Sequence, residues 1–146
     1  MATDRRQQIH AILKQHWGYD SFRPLQEDII LSVLEGRDTL ALLPTGAGKS
    51  ICFQVPGLAL QGLCLVISPL IALMKDQVEN LKRRHVKAAA IYSGMSYHDI
   101  ELVINNCVNA NDMRFLYVSP ERLKTEMFRV NLPHMNVKMI AVDEAH

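Results

Sequence analysis

The sequence predicts an α/β protein, a three-layer α/β/α sandwich around a mainly parallel sheet. Two observations lead there. Strand-like and helix-like stretches alternate along the chain to its end, the pattern of βαβ units. Several of the strand-like stretches, LCLVI (63–67) among them, are continuous apolar runs rather than alternating ones, as expected of strands buried on both faces.

The elements follow in order. Residues 4–16 and 24–35 read as helices. In the second, Pro24 suits the first turn, Ile29, Ile30, Val33 and Leu34 make an apolar stripe, and Gly36 suits the end. TLALL (39–43) reads as the first strand, followed by a glycine-containing turn and a helix from about Lys49. LCLVI (63–67) is the second strand, with the helix LIALMKDQVENLKR after it. KAAAI (87–91) is the third, before a helix over 96–109. RFLYV (114–118) is the fourth, before a short helix, and VKMIAV (137–142) is the fifth. Linkers and low-complexity stretches are absent, so the chain reads as one structural domain, with leading helices over 1–36 and the sheet-forming part over 37–146.

Composition narrows the class. Of 146 residues, 49% are hydrophobic and 21% charged, which fits a globular protein and not a disordered one. No apolar run approaches the roughly 18 residues that span a bilayer, and the polar start MATDRRQQIH lacks a signal-peptide core. Cys52, Cys64 and Cys107 are odd in number and form no CxxC pair, which argues against a zinc site or disulfide framework and for a reducing compartment. The net charge of +1 means that any nucleic-acid binding has to arise from local geometry.

In a parallel α/β sheet, ligands bind beyond the carboxyl ends of the strands, so the residues after each strand carry the information. After TLALL comes PTGAGKS (44–50). Gly48, Lys49 and Ser50 fit the end of the phosphate-loop pattern, while Leu43 stands where that pattern has its first glycine. Thr45, Gly46, Ala47 and Gly48 supply a backbone able to wrap a phosphate, with the start of the next helix facing the anion. Lys49 is expected to reach the β/γ-phosphates and Ser50 to ligate Mg²⁺. After VKMIAV comes Asp143-Glu144. Asp143 is expected to hold Mg²⁺ across from the loop, and Glu144 to act as general base on the attacking water. Lys49, Asp143 and Glu144 are thus the catalytic candidates.

Two further segments echo each other: VISPLIALMKDQ (66–77) and YVSPERLKTEMF (117–128). Each is a strand, Ser-Pro, then a helix. Ser is a favoured N-cap and Pro suits the first helical position. Two helix starts on one sheet edge can also present N–H groups to nucleic-acid phosphates, without sequence preference. Capping and binding are compatible, which makes Ser68, Pro69, Ser119, Pro120 and Arg122 the nucleic-acid candidates.

Taken together, DSFRPLQ, LLPTGAGKS, SPLIALMKDQ, YVSPERL and VDEAH, in this order, resemble the N-terminal RecA-like ATPase lobe of RecQ-type DNA helicases, within the DEAD/DEAH-box superfamily. The resemblance covers about residues 8–146. It implies ATP and Mg²⁺ as cofactors, single-stranded or partly duplex DNA as partner, and 3′-to-5′ translocation driven by ATP hydrolysis, in DNA repair and recombination. RecQ-like loops tolerate an apolar residue at position 43. In RecQ-like proteins the segment matching YDSFRPLQ (19–26) binds adenine, which implies stacking on Tyr19 and Arg23 and a base-edge hydrogen bond from Gln26. On that basis 1–36 contains the adenine-recognition segment, and 37–146 is a partial RecA-like domain. The resemblance implies a cytoplasmic, nucleoid-associated protein in a bacterium or a nuclear one in a eukaryote. A DEAH-like RNA helicase lobe and a non-catalytic nucleotide- or DNA-binding module are the alternatives.

The family also implies a second RecA-like lobe with an arginine finger, which this chain lacks. In RecA-like sheets the strand after the acidic box lies between the phosphate-loop strand and the acidic-box strand. The expectation is therefore an incomplete sheet with exposed apolar edges, in a truncated product or excised segment that cannot unwind DNA by itself, and whose oligomeric state the residues leave open.

Overall fold

The computed structural model describes residues 2–43, 48–110 and 112–143. It contains two compact units, Met1–Gln61 and Gly62–His146.

The first unit is helical: α1 (Ala2–Trp17), α2 (Gln26–Leu34) and α3 (Lys49–Ala59). Each helix buries an apolar stripe at a spacing of four residues, the period that returns to one helix face. Ile9 and Leu13, Ile30 and Leu34, and Ile51, Val55 and Ala59 form one core, and α3 packs against both α1 and α2. Burying each of the larger side chains contributes about 1.5–3 kcal/mol. This core seats the start of α3, where Lys49 and Ser50 lie.

Two expectations need correction here. The second helix begins at Gln26, not Pro24. Leu25 is left-handed at φ 73°, a conformation that no right-handed helix can include, so Pro24 and Leu25 form a turn. Residues 39–43 form no strand. Leu40 and Leu42 are 75% and 81% exposed. A strand is held by a neighbour's backbone ladder, and none of the described strands pairs with TLALL, so the apolar run alone does not make one.

The second unit is a four-stranded parallel sheet with flanking helices. Its strands are β1 (Leu63–Ile67), β2 (Ala88–Ile91), β3 (Phe115–Val118) and β4 (Val137–Val142), in the order β2-β3-β1-β4. Helices α4 (Ile71–Arg83) and α5 (Tyr97–Asn109) fill the crossovers. A 3₁₀ turn (Pro120–Lys124) and the short α6 (Glu126–Asn131) follow β3. Leu63, Leu65, Leu116 and Val118 pack with Ile100, Ile104 and Cys107 of α5 and with Phe128 of α6. Cys64, Val66, Phe115 and Tyr117 point the other way and are also buried. The middle strands are therefore covered on both faces, as their unbroken apolar runs require. The edge strand β4 departs from this. Its residues alternate, with Ile140 and Val142 60% and 57% exposed.

Cys52, Cys64 and Cys107 are buried free thiols. Burial pushes Cys52 up to about 11 and Cys64 and Cys107 up to about 12, the environment of inert core cysteines. Among the described residues no helix is long and apolar enough to cross a membrane.

Candidate nucleotide and nucleic-acid site

In the first unit the structure ties the 19–26 segment to the end of the glycine-containing loop. Gln26 is 2% exposed. Its Oε1 accepts from the Arg23 backbone N–H at 2.8 Å, and its Nε2 donates to the Gly48 carbonyl at 3.1 Å. The turn at Pro24-Leu25 makes this possible, because it folds Gln26, the first residue of α2, back over Arg23. Tyr19 and Arg23 are exposed, leaving a ring and a guanidinium at the surface of the same segment.

Gly48 is required twice over. It is left-handed, at φ 73°, and a Cβ there would lie 2.5 Å from Gln26 Nε2. Only glycine meets both conditions without strain. Gly48 also caps α3 with no side-chain hydrogen bond of its own, with Lys49 exposed and Ser50 half-buried in the first turn. A helix start of this kind favours an anion.

In the second unit the parallel register aligns all four strand ends. Ile91 pairs with Val118, Val118 with Ile67, and Ile67 with Val142. The next residue on each strand therefore falls on one carboxyl-terminal edge: Tyr92, Ser119, Ser68 and Asp143, in that spatial order. Backbone bonds run across this edge. Ser119 N–H donates to Ile91 O at 3.1 Å, Ser68 N–H to Val118 O at 3.1 Å, and Asp143 N–H to Ile67 O at 2.9 Å. The expectation that the informative residues follow the strands thus takes a geometric form within this unit.

The two Ser-Pro elements do not cap helices in the way their sequences suggest. Helix α4 begins at Ile71 with Leu70 at its N-cap. Among the described residues Ser68 Oγ accepts a long bond from Leu70 N–H, at 3.4 Å. Ser119 precedes a 3₁₀ turn with Pro120 at its start, and its side chain makes no capping bond. A residue before proline is pushed into extended backbone, and Ser119 has ψ 148°. Both serines are buried, while Pro69 and Pro120 are exposed and Arg122 half-buried. Among the described residues Ser119 Oγ reaches no partner in good geometry. Thr45, Gly46, Ala47 and Glu144, expected at the phosphate and water positions, lie outside the described residues.

Sequence reasoning passed over the residues after β2. The Ser93 hydroxyl donates to the Glu121 carboxylate, and this bond above all holds the Glu121 carboxyl below its ordinary range. Lys75 Nζ sits 4.9 Å above the Tyr92 ring, a cation–π distance. The available signal was position: Tyr92 and Ser93 directly follow a strand on the ligand-binding edge.

Comparison with known proteins agrees with this organisation. Residues 23–146 match the DEAD/DEAH box helicase family. The chain is 43% identical over 143 residues to the ATP-dependent DNA helicase RecQ of Synechocystis, covering 97% of this chain and 30% of that protein. It is 43% identical over 136 residues to the ATP-dependent DNA helicase RecQ of Haemophilus influenzae, covering 93% and 22%. The chain therefore spans less than a third of the length of these curated relatives. A crystal structure of the DUF1998 helicase MrfA bound to DNA and AMPPNP shares the fold. Its TM-score is 0.76 at 20% identity, over 92% of this chain and 20% of that one.

Proposed function

The chain belongs to the DEAD/DEAH box helicase family, and we propose that it is the ATP-binding lobe of a RecQ-type, ATP-dependent DNA helicase. The observation that carries this reading is the Gln26 Nε2 to Gly48 carbonyl hydrogen bond. It couples the segment expected to read adenine to the loop expected to hold the phosphates, within one helical core.

The residues fit their proposed tasks. The left-handed Gly48, with no room for a Cβ, lets backbone approach a phosphate, and the start of α3 adds its partial positive charge. Lys49 neutralises phosphate charge. Ser50 and Asp143 each carry a hard oxygen donor, the ligand type Mg²⁺ takes together with phosphate oxygens and water. Mg²⁺ would supply neutralisation of charge developing on the phosphates. Glu144 orients and deprotonates the attacking water. Ser68, Pro69, Ser119, Pro120 and Arg122 lie at or just past the strand ends and form the proposed single-stranded DNA track. Coupling to 3′-to-5′ movement needs a second lobe, so this chain alone is expected to turn over ATP slowly or not at all.

The test is the ATPase rate of this chain with and without single-stranded DNA, beside a version extended through a second lobe. The expected result is DNA-stimulated turnover in the extended form, abolished by Lys49→Ala, and little turnover in this chain. Lack of any nucleotide binding by either form would overturn the reading. Stimulation by RNA in place of DNA would favour an RNA helicase lobe.

A further inference from the structure

One face of α1 meets the 19–27 segment at three of its residues, Asp20, Phe22 and Glu27. Arg6, His10 and Lys14 recur at a spacing of four, so they line one side of the helix. Arg6 pairs with Glu27. His10 Nε2 lies 3.4 Å from the other Glu27 oxygen, Oε2, and the His10 ring meets Phe22 edge-on at 4.9 Å. Lys14 pairs with Asp20 at 2.6 Å. The adjoining stripe of α1, Ile9 and Leu13, is anchored in the helical core, against which Phe22 also packs.

The partners on the segment are not scattered. Asp20 directly follows Tyr19, and Glu27 directly follows Gln26. The two ion pairs therefore grip the chain next to each outer recognition residue, and Phe22 is held between them. The lysine holds the Asp20 carboxyl below its ordinary range, first through the hydrogen bond and then through its charge.

We propose that Arg6, His10 and Lys14 are positioning residues, which hold residues 19–27 in the shape that receives adenine and so set nucleotide affinity and base selectivity without touching the nucleotide. The inference rests on the ATP-site reading above. A bare stability role is the competing explanation, and magnitudes separate the two. Exposed ion pairs contribute little to folding. Acting on one segment, they shift the fraction of molecules in the competent shape, and apparent affinity falls with that fraction.

The experiment is competition against a ribose-labelled fluorescent ATP on the full chain, using ATP, GTP and inorganic tripolyphosphate, beside thermal melts. Wild type and Lys49→Ala are measured first. If wild type does not bind, or Lys49→Ala binds as well as wild type, the ATP-site reading fails and this inference with it. If that reading holds, Arg6→Glu combined with Lys14→Glu should weaken ATP about 3–10-fold and leave tripolyphosphate unchanged. The charge-swapped partners, Glu27→Arg and Asp20→Lys added to those changes, should restore ATP affinity. Equal loss of ATP and tripolyphosphate, failure of the swap to restore, or no change in affinity would each overturn the positioning role.

Discussion

Gln26 and Gly48 occupy adjoining space so closely that the second must be glycine: the amide nitrogen of one donates to the carbonyl of the other at 3.1 Å, and a Cβ on the glycine would come within 2.5 Å of that nitrogen. Gly48→Ala should therefore destabilise by about 1–2 kcal/mol from its left-handed backbone alone, with a steric contribution added. In a Gln26→Ala background the steric part should vanish and the two changes should be non-additive. Denaturant melts of the four proteins check this. Strict additivity would place the clash elsewhere.

Gln26→Ala by itself should weaken ATP more than it weakens the fold. It removes the acceptor for Arg23 N–H and the donor to Gly48, and each lost hydrogen bond costs about 0.5–1.5 kcal/mol. Calorimetric titration with ATP, read beside the melting temperature, separates the two effects. Unchanged nucleotide affinity would remove Gln26 from the site.

Ser119→Ala should hold or raise stability, because it deletes a buried hydroxyl that makes no well-formed bond among the described residues and acts on the exposed Glu121 carboxylate only as a lesser contributor beside Ser93. An unsatisfied buried group costs about 1–3 kcal/mol. If the serine serves DNA, affinity for labelled oligo-dT, followed by anisotropy, falls in the same variant. A destabilised variant would show that the hydroxyl has a structural partner.

Alkali should weaken the fold through the thiols. In the folded chain burial raises them from 9.0 to about 11 and 12. The unfolded chain binds fewer protons above its own value, so this stability is complete below about pH 9 and is lost as pH rises towards the folded values. Urea melts at about pH 8 and about pH 10.5 should differ less in a variant with alanine at positions 52, 64 and 107. An equal fall would assign the loss to other groups.

The edge strand should drive self-association. Ile140 and Val142 stand exposed on β4, the last strand in the sheet order, and an exposed apolar edge is a template for pairing. Ile140→Lys should lower light scattering at micromolar concentration. Unaltered scattering would mean that another surface associates.

Much of this was legible in the sequence, for reasons that differ by element. The runs 63–67 and 137–142 emerged as strands within the expected bounds; for 63–67 apolar continuity reported burial in a sheet interior, whereas 137–142 is an edge strand that exposes alternate residues. TLALL carried the same signal and is not a strand, because a strand is a property of a pair and the sequence shows only one member. The Ser-Pro elements were placed correctly at the strand ends. Their capping role was misread because proline's local preference said nothing about where the hydroxyl would turn. The Gln26–Gly48 contact joins residues 22 apart, beyond any local rule. The α1 stripe was readable as a spacing, though its partners were not.

The strand order has a further consequence, for the time course of folding. Among the described strands, β2 pairs only with β3, and β1 pairs only with β3 and β4. Neither of the two strands made first has a partner until residues 115–118 exist. A ribosome-bound chain would carry LCLVI and AAAI unpaired through the synthesis of everything between, and non-local parallel pairing of this kind is intrinsically slow. Translation speed up to β3 should thus govern how long the most aggregation-prone segments of this protein stay uncovered.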